Sequence, residues 1–304
     1  MNQTNLFPKD FEASKKLHEF LKKNFYSILK KTRDQSVQYN IIDYEDTLNS
    51  SEDYKGVDFI FKVVPANDPS HPPITFTMDE KGALDFKFNN WSLSTFAFEL
   101  GYLKVNPITN NKEYREGWLT NPDKITDYYV LVWPHAIEDE NSYYFDVAEL
   151  MIISRKNVIS ILEEELLKNP DYNRDTLIDQ LRQESQEIVQ ENKCQEYIYQ
   201  KYKYKHDDDY QRQYNKHRYV KWINEDKKIK FIHSLHKPEA PLNIIINKEL
   251  LFNKTKCVFW INSTSILRKL DYDRVSHNFD YINRTLENYI MQLSIPSTSI
   301  ILAI

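Results

Sequence analysis

Two carboxylates and one lysine have the types and spacing for metal-assisted chemistry: Asp58, and the triplet Asp85-Phe86-Lys87. In a strand, residues i and i+2 share a face. Asp85 and Lys87 would therefore project together, and Leu84, Phe86 and Phe88 to the other side. Asp58 opens a strand-like run just after Gly56. If the two strands pair, two carboxylates and an ammonium converge. Carboxylates on rigid strands suit a hard divalent cation such as Mg²⁺, with Mn²⁺ as a substitute. Such a cation polarises a phosphoryl oxygen and lowers the pKa of a bound water. The lysine can position that water or stabilise developing negative charge. This is chemistry for hydrolysing a phosphodiester. The alternative is a solvated strand face carrying a surface ion pair.

The spacing alone is weak. Acid-x-Lys also occurs at Asp53/Lys55, Asp79/Lys81, Glu191/Lys193, Glu225/Lys227 and Asp226/Lys228. Context selects Asp85/Lys87, the one pair that lies in an apolar strand pattern; the others read as loops or polar helical runs.

The elements that would position these residues are legible as periodicities. Residues 10–32 read as an amphipathic helix, with Leu17, Phe20, Leu21, Phe25 and Ile28 on one face. Val57–Val64 is a strand rich in aromatic and β-branched residues, followed by a loop with Pro65, Pro69, Pro72 and Pro73. Residues 74–78, 83–88 and 94–103 read as further strands. Asp127–Trp133 is a nearly continuous apolar run ended by Pro134, which reads as a central strand buried on both faces. Helices are expected at 154–168, with Ser154 as N-cap, and at 174–200. Strands return at 242–246 and 256–261, and a last helix is expected over 273–293.

The constellation Asp58, Asp85, Lys87 resembles the PD-(D/E)XK nuclease superfamily, where an acid at a strand start is followed by acid-x-Lys on the next core strand. Phe96-Ala97-Phe98-Glu99-Leu100, and Gly117-Trp118-Leu119 followed by Thr126-Asp127-Tyr128-Tyr129, look like its phage and mobile-element branches, including resolvase-like enzymes. The likeness covers roughly residues 40–155, and extends to the later strands at 242–261. The chain departs from the family name in having Val57, not proline, before Asp58. The resemblance implies an α/β fold with a restriction-endonuclease-like mixed β-sheet core flanked by helices. It implies Mg²⁺-dependent cleavage of DNA, with Asp58 and Asp85 as metal ligands, the Phe86 carbonyl as a further ligand and Lys87 as the water-positioning lysine. Glu45 is the candidate for an upstream supporting acid, with Asp34 and Asp46 as rivals, and Glu99 is a second supporting candidate. Many members dimerise to cut both strands, which leaves a homodimer open.

Composition narrows the alternatives. The 304 residues include 41% hydrophobic and 14% aromatic side chains, enough for a real core. Four glycines leave no GxGxxG or GxxxxGK[ST] loop, and HExxH, GxSxG and EF-hand patterns are absent. Cys194 and Cys257 make neither a disulfide scaffold nor a four-ligand zinc site, and His233 and His236 near Glu239 lack a further ligand at metal spacing. No apolar run approaches the ~20 residues of a membrane span. MNQTNLFPKDF has no apolar core of a signal peptide, so a cytoplasmic protein without a membrane partner is expected.

A net charge of −5 excludes a uniformly basic surface but not a local basic groove. Lysine pairs at 15–16, 22–23 and 30–31 make a stripe on the first helix. Between Tyr197 and Lys230 aromatic and basic residues interleave. Lys22, Lys23, Lys201, Lys203, Arg212 and Arg218 are thus candidate nucleic-acid contacts, on the alternative of solvated helix faces. The expected organisation is a core over 1–165, a helical basic and aromatic insertion over 166–235, and completing strands and a helix over 236–304. A non-catalytic nucleic-acid or protein binding module on the same fold is the second reading.

Overall fold

The computed structural model describes residues 6–27, 39–47, 56–65, 70, 72–88, 93–106, 109–139, 142–190, 218–223, 226–234, 239–255, 258–262 and 266–268. In chain order these form α1 (Leu6–Leu21), running on as a π-helical turn over Lys22–Tyr26, then β1 (Tyr39–Asp46), β2 (Phe59–Pro65) and β3 (Ile74–Gly82). A 3₁₀ turn (Leu84–Phe86) precedes β4 (Thr95–Val105), β5 (Lys112–Glu116), β6 (Tyr128–Asp139) and β7 (Ser142–Ser154). Then come α2 (Arg155–Leu166), α3 (Leu177–Gln190), β8 (Arg218–Trp222), β9 (Ile229–Ser234), β10 (Leu242–Asn247), α4 (Lys248–Asn253), β11 (Val258–Asn262) and β12 (Ile266–Arg268). The class is mixed α/β, with two mostly antiparallel sheets and few helices. No helix among the described residues is long and apolar enough to cross a membrane.

The chain divides into two compact units, and the division differs from the expected three segments. One unit contains a seven-stranded sheet of order β1-β2-β3-β6-β7-β11-β12. All its pairings are antiparallel except β3 with β6. A parallel pair needs a long crossover, and within that crossover Thr95–Lys124 belongs to the other unit. Helix α1 lies on one face of the sheet. Leu17, Phe20, Leu21, Phe25 and Tyr26 pack there against Phe59, Phe61, Val63, Met78, Val130, Val132, Leu150 and Phe259. The expected helical stripe is therefore the one that builds this core, and strand alternation supplies its sheet side.

The second unit takes Thr95–Lys124 and Ile159–Leu250. Its five-stranded sheet, of order β5-β4-β10-β9-β8, is antiparallel throughout. Leu177, Leu181, Ile188 and Val189 form the buried stripe of α3. The stretch expected to be a helical insertion thus contains one described helix and two strands. In β9, Ile229, Phe231 and His233 are buried on alternate positions, a period masked in the sequence by the surrounding lysines.

Two strand expectations change. Residues 83–88 are not a strand: β3 ends at Gly82, and Lys87 N–H closes the 3₁₀ turn on the Leu84 carbonyl at 3.3 Å. Pro134 does not end β6, which continues to Asp139. The β3 ladder stops at the Gly82–Val132 pair, so no β3 carbonyl waits for the N–H that Pro134 lacks.

Gly117 follows β5, and its N–H bonds the Leu100 carbonyl at 2.9 Å. A Cβ there would stand 2.3 Å from the backbone oxygen of Glu99, whereas one on Gly82 would stand 2.7 Å from the tip of the Leu17 side chain. A side-chain tip yields and backbone does not. Gly117→Ala should lower stability in urea denaturation by about 3 kcal/mol and Gly82→Ala by about 1 kcal/mol.

Candidate active site

The site begins where β2 begins. Phe59 pairs with Met78, so the residue before β2, Asp58, stands level with Asp79 of β3. Asp58 N–H donates to the Met78 carbonyl at 2.9 Å and its carbonyl accepts from Thr47 N–H at 3.0 Å. The Thr47 hydroxyl donates to the Val57 carbonyl, and the Thr126 hydroxyl to the Gly56 carbonyl at 2.6 Å. Gly56 has φ 78°, the left-handed region that favours glycine, so the chain turns into β2 at a fixed place. Past Asp58, β2 has no backbone to offer β3. The Asp58 side chain takes that role: its Oδ2 accepts Glu80 N–H at 2.6 Å.

Alternation along β3 puts Asp79 and Lys81 on one face and Glu80 on the other. Asp79 is 1% exposed. One of its oxygens is in an ion pair with Lys81 Nζ; the other, Oδ2, is buried with no hydrogen-bond partner. Burial pushes the Asp79 carboxyl well above the usual carboxylate range; Lys81 opposes the rise and the adjoining Asp58 carboxylate adds to it. Two carboxyls in hydrogen-bonding reach, one of them buried, are completed by a proton shared between them or by a cation. Asp58, Asp79 and the β3 backbone beside them would suit a small oxygen-seeking divalent ion that retains waters of its own. Among the described residues no group of three or more His, Cys, Asp or Glu side chains is placed to hold a metal, so this pair would work with backbone and water oxygens.

The neighbours on β6 frame the pair. Tyr129 is the cross-strand partner of Asp79 and is fully buried. Burial raises its phenol, the Arg155 guanidinium opposes and the Asp79 carboxylate adds to the rise, so the hydroxyl stays protonated. Asp127 clamps the start of the parallel pair: its Oδ2 accepts Thr77 N–H at 2.9 Å and its own N–H reaches the Thr77 carbonyl at 3.1 Å. The following helix α2 is capped as expected, with Asn157 N–H on Ser154 Oγ at 3.0 Å.

Glu80 points to α1. Its Oε1 accepts the Tyr26 hydroxyl at 2.7 Å and meets His18 Nδ1 at 3.0 Å. His18 Nε2 faces Asp46 Oδ2 at 3.1 Å, which also pairs with Lys22 Nζ at 2.9 Å. Both imidazole nitrogens thus face carboxylate oxygens, and only the cation donates to both. Burial alone would push His18 down; the hydrogen bonds and charges of Glu80 and Asp46 outweigh it and raise the imidazole to about 9.

The residues singled out in the sequence fall in different places. Asp58 is in the site. Asp85 is exposed in the 3₁₀ turn, six positions beyond the residue level with Asp58, and Phe86 lies in the same turn. Lys87 follows the turn, with Nζ over the rings of Phe88 and Tyr143, both at 5.0 Å. Asp85 and Lys87 therefore share no strand face: a turn of period three replaces the expected period of two. Glu45 is exposed and pairs with Lys62 Nζ at 3.0 Å. Asp46 belongs to the α1 network, and Asp34 lies outside the described residues. Glu99 is on β4, in the other unit's sheet.

Lys22 is tied to Asp46, on the α1 face of the sheet, and Lys23 is exposed. Lys201, Lys203 and Arg212 lie outside the described residues, as does the expected helix over 273–293; Arg218 opens β8. His233 is buried against the Ala240 carbonyl and pushed down to about 4 by burial, which makes it a core histidine. Asp79 and Lys81, expected in a loop, are the pair that the fold brings beside Asp58. Their signal was present: Ile74, Phe76 and Met78 alternate up to the triplet. No family model, curated protein or solved structure matches the chain.

A carboxyl raised by folding contributes its stability at low pH and loses it as pH rises through the raised value. Ionising Asp79 therefore works against the metal-free fold. Asp79→Asn should raise the urea midpoint at pH 7 in EDTA, and Mg²⁺ should raise the midpoint of the wild type but not of the variant. His18 adds a second pH dependence. Its contribution is complete below 6.5 and is lost as pH rises through about 9. Denaturation across that window should show a decline of at most about 3 kcal/mol, flattened in His18→Gln.

Proposed function

We propose that this chain is a Mg²⁺-dependent nuclease that hydrolyses phosphodiester bonds in DNA, with Asp58, Asp79 and Lys81 as its central residues. The observation that carries the reading is the buried Asp79 carboxyl, within hydrogen-bonding reach of the Asp58 carboxylate and paired with the Lys81 ammonium, where only one of its oxygens meets a donor. The PD-(D/E)XK resemblance supports it in a corrected register. An acid precedes one core strand, β2, and acid-x-Lys lies within the next, β3, as Asp79-Glu80-Lys81. A mixed sheet with a helix packed on it is the core that resemblance implies.

Asp58, Asp79 and the Glu80 carbonyl would hold the cation. In an extended strand the N–H and C=O of one residue point to the same side, and the Glu80 N–H points at Asp58. Bound there, a divalent cation supplies Lewis-acid polarisation of the phosphate and makes water more acidic. Lys81 carries a positive charge to the same face, where it orients the attacking water and offsets charge building on the phosphoryl oxygens. Water adds at phosphorus and gives up a proton to solvent, the P–O bond to the leaving nucleotide breaks, and that oxygen leaves with a proton from solvent. The Tyr129 hydroxyl, kept protonated, adds a donor beside Asp79.

Supercoiled plasmid incubated with the protein and Mg²⁺ or Mn²⁺ should be cut, and EDTA should stop it. Asp58→Asn, Asp79→Asn and Lys81→Ala should each lower the rate by about 10²-fold or more, while Asp85→Ala and Lys87→Ala cleave like the wild type. Loss of cleavage in Asp85→Ala and Lys87→Ala alone would return the site to the 3₁₀ turn. Retained DNA binding without cleavage in either metal would make the chain a binding module.

A further inference from the structure

We infer that helix α1 is part of the site's machinery: Tyr26 and His18 are positioning residues that set the Asp58–Asp79 geometry through the side chain of Glu80. This inference rests on the site proposed above. Glu80 has two connections, one at the β2 edge of β3 and one on a face of it. Its backbone N–H holds Asp58 Oδ2 at 2.6 Å, where β2 provides no ladder partner. Its side chain, on the α1 face, is held by Tyr26 at 2.7 Å and His18 at 3.0 Å. The peptide plane between Asp79 and Glu80 carries that N–H, so its tilt decides where the Asp58 carboxylate sits relative to Asp79. Backbone pairing fixes the strand along its length; the anchor on Glu80 fixes its rotation.

A purely structural need would be met more cheaply. The core around Glu80 is apolar, with Met78, Phe59 and Phe61 close to Tyr26. A buried ion pair seldom adds net stability over well-packed apolar residues of the same volume. Instead alternating charges run inward from the exposed Lys22 through the half-buried Asp46 to the buried His18 and Glu80, ending on the one residue that lies between two site residues. Partners behind a metal ligand orient it in this way, and losing one costs affinity for the ion.

The test is Mn²⁺ binding to the full-length protein, read by the loss of free Mn²⁺ signal in electron paramagnetic resonance, with the unfolding midpoint of each variant alongside. Tyr26→Phe keeps the ring in the core and removes only the hydroxyl. It and Glu80→Ala should weaken Mn²⁺ binding about 10-fold or more. Glu80→Gln, which still accepts from Tyr26, should restore most of it. Leu21→Ala, a cavity in the same core, should lower the midpoint at least as far and leave Mn²⁺ affinity unchanged. The inference fails if Tyr26→Phe and Glu80→Ala bind like the wild type while Asp79→Asn does not bind. It also fails if Leu21→Ala weakens binding as much as they do. A wild type that binds no Mn²⁺ overturns both this inference and the site beneath it.

Discussion

A carboxylate withheld from water organises this unit of the protein. Asp79 is placed mid-strand, with Asp58 level with it on one edge of β3 and β6 on the other, and it is buried. Its charge is opposed by burial and by Asp58, and relieved by Lys81. Such a group must be neutralised by a proton, a lysine or a metal. Lys81 satisfies one oxygen only. The strands and turns around it hold the second acid at a fixed place rather than letting it swing away: Gly56, Thr47 and Thr126 all pin the segment that delivers Asp58.

The two faces of β3 do different work, and β3 has polar residues on both. On one face Asp79 and Lys81 form the ion pair. On the other, Glu80 interrupts the apolar row of Ile74, Phe76 and Met78 and is met by two polar side chains from α1. The hydrophobic contact of α1 with the sheet supplies the stability, through Leu17, Leu21, Phe25 and their partners. The polar contact supplies direction. Tyr26 does both: its ring packs on Phe59 at 4.5 Å between centroids while its hydroxyl reaches Glu80.

Part of each sheet was legible because those strands have the expected periods. β2, β4, β6 and β10 coincide with apolar runs, and α1 and α2 with helical stripes. Asp58 was legible for the same reason, standing at the head of the clearest strand. The strand expected over residues 83–88 was misplaced by local pattern. Leu84, Phe86 and Phe88 alternate over a stretch too short to separate a strand from a 3₁₀ turn, and the turn won because Gly82 ends the ladder there. Asp79-Glu80-Lys81-Gly82 reads as a turn from composition, since three charged residues precede a glycine. It is a strand because the tertiary structure answers each charge: Lys81 for Asp79, and His18 with Tyr26 for Glu80. No local propensity encodes those answers. A charged run that interrupts strand alternation and still forms a strand is where tertiary contacts override local preference.

The parallel pairing of β3 with β6 carries the same logic into topology. Antiparallel neighbours could have been joined by a tight hairpin, and the chain would then have entered β6 from the far end of β3. Parallel pairing makes it re-enter at the near end, beside Thr77. Asp127 is the last residue before β6, and its side chain and backbone both grip Thr77, two positions before Asp79 on the same face. The excursion through Thr95–Lys124 can thus be long without loosening the site, because the return point is locked directly to the strand that bears it. Tyr129 follows two residues later and lands opposite Asp79 by register alone. A long crossover closed by a short clamp gives β6 the precision of a hairpin at the place where the buried carboxylate needs its neighbours fixed.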